Sequence, residues 1–260
     1  WSAPGWRVLL PLTIAMIAVR SVAMAYNRLA DLEIDSVNPR TQGRPLVTGE
    51  LSVEFTKRFL LVCALVFTTA CAALNTTCLL LSPVALAWSA FNSHTKRFTQ
   101  FCHFVLGTVL GLAPVAGWLA VSPHHLGYAA VLLFFAVSLW VAGFDILYAC
   151  QDAEFDSRQG LFSVPAVQGV PRALFTSSWT HASAAMIFPM VGYFGGMGIL
   201  YLAISLIVGG ILVWEHKLIT PGDLSRVNVA FFTLNGIIAV FVFLGAWADL
   251  RLGSPWLPFR

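Results

Sequence analysis

Two runs of oxygen-bearing side chains interrupt an otherwise apolar sequence. The first is Asn27-Arg28-Leu29-Ala30-Asp31-Leu32-Glu33-Ile34-Asp35, in which Asn27, Asp31 and Asp35 recur at i, i+4 and i+8. The second, Asp145-Ile146-Leu147-Tyr148-Ala149-Cys150-Gln151-Asp152-Ala153-Glu154-Phe155-Asp156, repeats the spacing in Asp152 and Asp156 and extends it backward through Tyr148 to Asp145. On a straight helix turning about 100° per residue, the three residues of the first run fall within an arc of about 80°, so their oxygens can converge. Glu33 faces elsewhere. Grouped hard oxygens suit Mg2+, which takes one or two carboxylates and completes its shell with waters and substrate phosphates. Either run alone describes a solvated helix end. Two with one spacing, each continuing as polar residues into apolar sequence, point to a site.

Cationic side chains accompany both runs. Arg40 and Arg44 lie in the segment Asn38-Pro39-Arg40-Thr41-Gln42-Gly43-Arg44-Pro45, Lys96 and Arg97 follow an apolar stretch, and Arg158 precedes Gly160-Leu161-Phe162-Ser163-Val164-Pro165. Arg40, Arg44, Lys96 and Arg158 could each contact phosphate oxygens. Taken singly, each also reads as a charge that sets membrane orientation.

The elements that must position these groups are membrane helices. Of 260 residues, 58% are hydrophobic and only 10% charged, whereas a globular chain carries about a quarter charged residues. This composition describes a polytopic membrane protein partnered by the lipid bilayer. A net charge of +3 without an Arg-rich tract excludes a nucleic-acid footprint. The five scattered cysteines read as small core residues. A spanning helix needs about 20 apolar residues, which predicts eight, near 8–30, 55–74, 76–95, 101–121, 126–149, 172–194, 196–214 and 229–248. Asn75-Thr76-Thr77, formally a glycosylation sequon, lies in a tight turn between two of them, where Asn75 reads as an N-cap.

Charge parity supports that count. Arg28, Arg40, Arg44, Lys57, Arg58, Lys96, Arg97, Arg158, Arg172, Lys217 and Arg226 fall on one set of connectors, and only Arg7, Arg251 and Arg260 fall opposite. Basic residues near helix ends accumulate in the cytoplasm, so that set is expected to be cytoplasmic. All acids except Asp249 lie on or near the same face. Acids hardly influence topology, so their collection there calls for another cause, and metal binding supplies one. Within the membrane, ionisable residues are costly and point to function. Arg20 sits two turns before Asn27 on the same helical face and Asp145 about one turn inside the fifth helix. Each also reads as a snorkelling or ion-paired structural residue. As functional groups, Arg20 would bind an anion and Asp145 a hydroxyl or a cation.

With these residues placed, the chain resembles the UbiA superfamily of intramembrane prenyltransferases along its whole length. The NxxxDxxxD motif with its Arg-Thr-x-x-Arg-Pro loop is matched by Asn27, Asp31, Asp35, Arg40, Thr41, Arg44 and Pro45. The DxxYxxxDxxxD motif with GxxSxP is matched by Asp145, Tyr148, Asp152, Asp156, Gly160, Ser163 and Pro165. The resemblance is closest to the 4-hydroxybenzoate polyprenyltransferase-like branch, including members proposed for futalosine-route menaquinone synthesis. Two departures stand out. Family members usually have nine transmembrane helices, with the first motif ending the second helix, so the family's first helix is expected upstream of this sequence. The Tyr of a frequent YxxxK is Asn92 here, with Lys96 kept.

The resemblance implies one all-α transmembrane prenyltransferase domain over residues 1–260, with eight helices ringing a central cavity in a bacterial inner membrane and the active site facing the cytoplasm. It implies Mg2+ on Asn27, Asp31, Asp35, Asp152 and Asp156, diphosphate contacts from Arg40, Arg44, Lys96 and Arg158, and transfer of a polyprenyl group to a 4-hydroxybenzoate-type acceptor for ubiquinone or menaquinone synthesis, with a naphthoate as the alternative acceptor. Asp145 and Tyr148 would orient the acceptor or support the carbocation, and Arg20 would bind an acceptor carboxylate. An organic-anion transporter is the alternative of a different class; it predicts inverted repeats and a midplane site, neither of which the sequence displays.

Overall fold

Backbone amides in lipid must bond within their own segment, and in the computed structural model every expected apolar run closes into a helix. The structure describes residues 4–252; Arg260, counted above on the opposite face, lies outside them. In chain order come α1 (Trp6–Ala30), α2 (Leu32–Val37), α3 (Val53–Leu74), α4 (Thr76–Thr95), α5 (Cys102–Val121) and α6 (Tyr128–Ala149). They are followed by α7 (Ala153–Arg158), α8 (Val164–Gln168), α9 (Val170–Gly195), α10 (Ile199–Leu218) and α11 (Asn235–Leu252). A 3-10 turn at Cys150–Asp152 joins α6 to α7, and a π turn at Val229–Leu234 leads into α11. Among the described residues there is no strand, only an isolated bridge between Thr220 and Asp223. Beside that bridge, hydrogen bonds from Ser225 hold the Asp223 carboxyl below its usual range.

Six of the long helices are apolar enough to cross a membrane: α1, α3, α5, α6 with its extension to Arg158, α10, and the π turn with α11. The two remaining long helices, α4 and α9, are as long but more polar. Thr76, Thr77, Ser82, Ser89, Asn92, Ser93, His94 and Thr95 dilute α4, and Arg172, Thr176, Ser177, Ser178, Thr180, His181 and Ser183 dilute α9. Two helices end later than expected. α10 runs on to Leu218 rather than stopping near residue 214, so Glu215 and Lys217 belong to the helix and not to a connector. α11 runs on to Leu252 rather than stopping near residue 248, which brings Asp249 and Arg251 into it.

The helices pack as two compact units. One comprises, among the described residues, 4–95 and 116–126. In it α1 packs on α3 and α4 around Ala15, Ala18, Phe67, Ala70, Cys71, Cys78 and Ala120, small residues that let helix backbones approach closely. Asn75 performs its expected role. Its Oδ1 accepts from the Cys78 N–H at 2.9 Å, capping α4, while its Nδ2 donates to the Leu119 carbonyl at 2.9 Å.

The other unit comprises residues 96–115 and, among the described residues, 127–252. Here α6 packs on α9, α9 on α10 and α10 on α11, around Ala136, Ala184, Phe188, Val208, Leu212 and Ile238. A cluster of buried polar groups ties these helices together. His181 Nε2 lies 3.1 Å from the Trp140 carbonyl, which can only accept, so the ring proton is on Nε2. Nδ1 is then an acceptor, and His216 Nε2, at 3.0 Å, must donate to it. Trp140 Nε1 donates to Asn235 Oδ1 at 2.6 Å, and Asn235 Nδ2 turns to the π-turn carbonyls of Ala230 and Phe231 and to Glu215, which is 0% exposed. Asn235 therefore bonds between helices, to Trp140 of α6 and Glu215 of α10. Asp249, the single acid expected on the opposite face, accepts from the Gly198 and Tyr201 N–H groups, where the positive end of α10 favours an anion.

Candidate active site

Both aspartate motifs depart from a straight helix at the same place. Asp31 separates α1 from α2 with φ −99° and ψ 8°, and Asp152 precedes α7 with φ −102° and ψ 6°. This is the sparsely populated bridge region, in which many active-site residues sit. Each bend is followed by a helix of six residues carrying the next aspartate, Asp35 on α2 and Asp156 on α7. The single arc computed for Asn27, Asp31 and Asp35 therefore applies only up to Asp31. Sequence patterning cannot show the bend, since aspartate at four-residue spacing fits a straight helix equally well.

In the first motif Asn27 Nδ2 donates to Asp31 Oδ2 at 3.1 Å, and Asp31 is buried. Asp35, also buried, is held by the loop that follows it. Arg44 Nη1 donates to Asp35 Oδ2, Arg28 lies 4.0 Å from the same oxygen, and the Thr41 hydroxyl donates to the Asp35 carbonyl at 3.1 Å. The Arg-Thr-x-x-Arg spacing is thereby explained, because Thr41 and Arg44 clamp α2 from one turn. Arg40 is exposed, and its backbone N–H donates to Asn38 Oδ1 at 2.9 Å. Arg20 is exposed midway along α1 and forms no ion pair with another described residue. Tyr26, adjacent to Asn27, bonds through its hydroxyl to His94 Nε2 at 2.9 Å.

The second motif is clamped in a comparable way. The Ser163 hydroxyl donates to Asp156 Oδ2 at 3.0 Å and accepts from the Ala166 N–H at 3.3 Å, capping α8. Gly160 adopts φ +67°, a conformation that favours glycine, and Pro165 occupies the first turn of α8, where a missing N–H costs nothing. These are the local reasons for the GxxSxP spacing. The Phe162 N–H donates to the Lys96 carbonyl at 2.6 Å, which brings the Lys96 backbone to this loop. Arg158 is exposed and pairs with Glu154 one turn earlier. Tyr148 packs against Phe231 of the π turn, with ring centroids 4.2 Å apart.

Asp145 has a partner that the motifs do not reveal. His103 of α5, 3% exposed, lies with Nδ1 2.7 Å from Asp145 Oδ2, and its Nε2 accepts from the Val164 N–H at 3.2 Å. In sequence His103 is a lone histidine in an apolar run, 42 residues from Asp145. The signal that could have singled it out is its position as an ionisable residue inside a membrane helix.

Each motif by itself offers the kind of donor that Mg2+ takes, an amide and two carboxylates at Asn27, Asp31 and Asp35 and two carboxylates at Asp152 and Asp156, all oxygen donors. Among the described residues no three His, Cys, Asp or Glu side chains gather into a ready-made metal group. A closed structural zinc site needs such a cage, whereas Mg2+ binds through one or two carboxylates and takes its remaining oxygens from water and phosphate.

Comparison with known proteins follows the same lines. The UbiA prenyltransferase family profile matches residues 2–237. A 4-hydroxybenzoate octaprenyltransferase from Cronobacter sakazakii is 28% identical over 227 residues, covering 87% of this chain and 77% of that protein. A UbiA homologue from Aeropyrum pernix K1, solved in its apo form, superposes with a TM-score of 0.87 at 32% identity, over 95% of this chain and 91% of that one. A UbiA homologue from Archaeoglobus fulgidus, solved with DMAPP and Mg2+, shares the fold with a TM-score of 0.71 at 20% identity, over 96% of this chain and 89% of that one.

Proposed function

Because the chain belongs to the UbiA prenyltransferase family, we propose that this integral membrane protein transfers a polyprenyl group from its diphosphate to an aromatic acceptor of the 4-hydroxybenzoate type. The observation that carries the reading is the pair of equivalent motifs, each bent at its middle aspartate and each with its following aspartate clamped by the loop that succeeds it: Asp31 and Asp35 with Arg44, Asp152 and Asp156 with Ser163. A relative at 28% identity is a 4-hydroxybenzoate octaprenyltransferase, and a neighbour in fold binds DMAPP and Mg2+.

In this reading residues 1–260 form one prenyltransferase domain. Asn27, Asp31, Asp35, Asp152 and Asp156 hold Mg2+, which when bound supplies the positive charge that stabilises departing diphosphate. Arg40, Arg44, Lys96 and Arg158 bind the diphosphate oxygens. Arg44 does so while orienting Asp35, and Arg158 while leaving its exposed pairing with Glu154, which is worth less than a kcal/mol or so and is easily exchanged. As the C–O bond breaks, diphosphate retains the electron pair and an allylic carbocation remains among apolar walls that exclude water. Tyr148, packed against Phe231 with the two rings tilted by 35°, offers an aromatic face to that cation. Asp145 orients the acceptor, and Arg20 binds its carboxylate. The acceptor ring then supplies the electrons of the new C–C bond and loses a proton. The basic connectors support a cytoplasmic site in the bacterial inner membrane.

The test is to supply membranes containing the protein with radiolabelled polyprenyl diphosphate and, separately, 4-hydroxybenzoate, dihydroxynaphthoates and homogentisate. A labelled, prenylated 4-hydroxybenzoate is the expected product. Label incorporated only into a naphthoate would reassign the acceptor, and none in any acceptor would overturn the reading.

A further inference from the structure

His103 occupies a place in this arrangement that neither motif assigns. Its two ring nitrogens have fixed and different partners. Nε2 faces the Val164 N–H at 3.2 Å and must accept from it, so the ring proton lies on Nδ1, which donates to Asp145 Oδ2 at 2.7 Å. An imidazolium would direct a second N–H at the Val164 N–H. The ring is therefore neutral and one-directional, a hydrogen-bond donor to Asp145 whose other nitrogen is already taken.

Val164 follows Ser163, whose hydroxyl holds Asp156. The same loop is anchored beside His103 by the Cys102 thiol, which donates to the Phe162 carbonyl at 3.4 Å. One short segment, Phe162 to Val164, thus holds a motif aspartate at one side and, through His103, Asp145 at the other. Among the groups described around Asp145, only this ring meets its carboxylate with a hydrogen bond, and the side chain is otherwise 23% exposed. A partly exposed aspartate on a helix ordinarily samples several rotamers; one oxygen fixed by a buried ring leaves the second aimed in one direction.

We propose that His103 is a positioning residue that acts through Asp145 on the aromatic acceptor and leaves the handling of diphosphate untouched. This inference rests on the function proposed above and adds a residue to the acceptor side of the site. It also gives the GxxSxP loop a second task, since the backbone N–H of Val164 selects the tautomer that serves Asp145.

The test compares His103→Leu, His103→Asn and His103→Gln with the unaltered protein. Kinetics are measured with Mg2+ while polyprenyl diphosphate and 4-hydroxybenzoate are varied in turn, at equal amounts of folded protein. A hydrogen bond to a charged group accounts for about tenfold to a hundredfold in such a comparison, so His103→Leu should lower kcat/KM for the acceptor by that factor with KM for the diphosphate unchanged. The amide of Asn occupies the region of Nδ1 and that of Gln the region of Nε2. His103→Asn should therefore recover most of the loss and His103→Gln little, a contrast that remains decisive if His103→Leu fails to fold. Unaltered acceptor kinetics in His103→Leu would overturn the inference. So would equal behaviour of Asn and Gln, or a loss that appears in the KM for diphosphate. An unaltered protein that prenylates no aromatic acceptor would overturn the proposed function and this inference together, an outcome distinct from the other three.

Discussion

Gly143→Ala sets two effects of one methyl group against each other. In an unencumbered helix the change stabilises by about 0.5–1 kcal/mol, because alanine surrenders less backbone entropy than glycine. At Gly143 the added Cβ would meet the ring of His181 at Cδ2, Nε2 and Cγ. That ring is fully buried and held at both nitrogens, by the Trp140 carbonyl and by His216, so it cannot swing aside. Forcing a methyl into a fixed core costs about 1–3 kcal/mol. A contact this close belongs at the upper end, and subtracting the propensity gain leaves a net loss of about 2 kcal/mol. For a chain of this size that lowers Tm by about 4–8 °C. Gly210 is the control, since a Cβ there meets nothing within 4 Å, and Gly210→Ala should leave Tm unchanged or raise it. His181→Ser opens the space, so Gly143→Ala combined with His181→Ser should lose less than the sum of the single changes, with a coupling of about 1–2 kcal/mol. Heating detergent-solubilised protein and quantifying the monodisperse fraction measures all four variants. Gly143→Ala melting at or above the unaltered protein, or strict additivity with His181→Ser, would refute the packing argument. Gly143 lies two residues before Asp145, so prenyl transfer should fall along with Tm.

Other outcomes follow from the same structure. In a background without native cysteines, cysteines placed at Ser36 and Ser157 should label only from the cytoplasm and one at Ser122 only from outside; labelling of Ser36 and Ser122 from one side would refute the helix parity. Asp31→Ala or Asp152→Ala should abolish release of diphosphate, whereas Arg20→Ala should mainly raise KM for a carboxylated acceptor, as loss of uniform binding does. If Arg20→Ala only lowers the amount of folded protein, Arg20 is structural. Asn75→Ala removes an N-cap worth about 1 kcal/mol and an interhelical bond worth about as much, and Asn75→Asp, which keeps the cap alone, should lie midway in a melting assay. Equal melting of Asn75→Ala and the unaltered protein would show that the turn needs neither bond.

Hydropathy and spacing carried much of this architecture. Eight apolar runs became eight long helices because lipid leaves a backbone no other way to satisfy itself, and each motif aspartate was identifiable because a neighbour three or four positions away is also polar. Features that depend on distant partners were not legible. The bends at Asp31 and Asp152 are accompanied by bonds from Thr41 and Arg44 to Asp35 and from Ser163 to Asp156, partners that helical periodicity does not encode. His103 is not marked by the polar residues at helical spacing from it, Thr99 and Gln100, because these precede α5; its partners are Asp145 and Val164, on other elements. Glu215 read as a connector residue because a carboxylate near basic residues usually meets water, yet Asn235 lets it remain in the core. The rule that ionisable residues inside helices are functional by default drew attention to Arg20 and Asp145, and applied evenly it would also have drawn attention to His103 and His181.

The decisive measurement is Mg2+-dependent prenyl transfer by the purified protein, read by mass spectrometry of the aromatic product with polyprenyl diphosphate and 4-hydroxybenzoate as substrates. If the two aspartate motifs hold diphosphate through Mg2+, a C-prenylated acid forms, disappears with EDTA, returns on adding Mg2+, and is absent from Asp31→Ala and Asp152→Ala even with Mg2+ in excess. Product formation that persists through chelation, or in both alanine variants, would contradict the assignment of these carboxylates to the reaction.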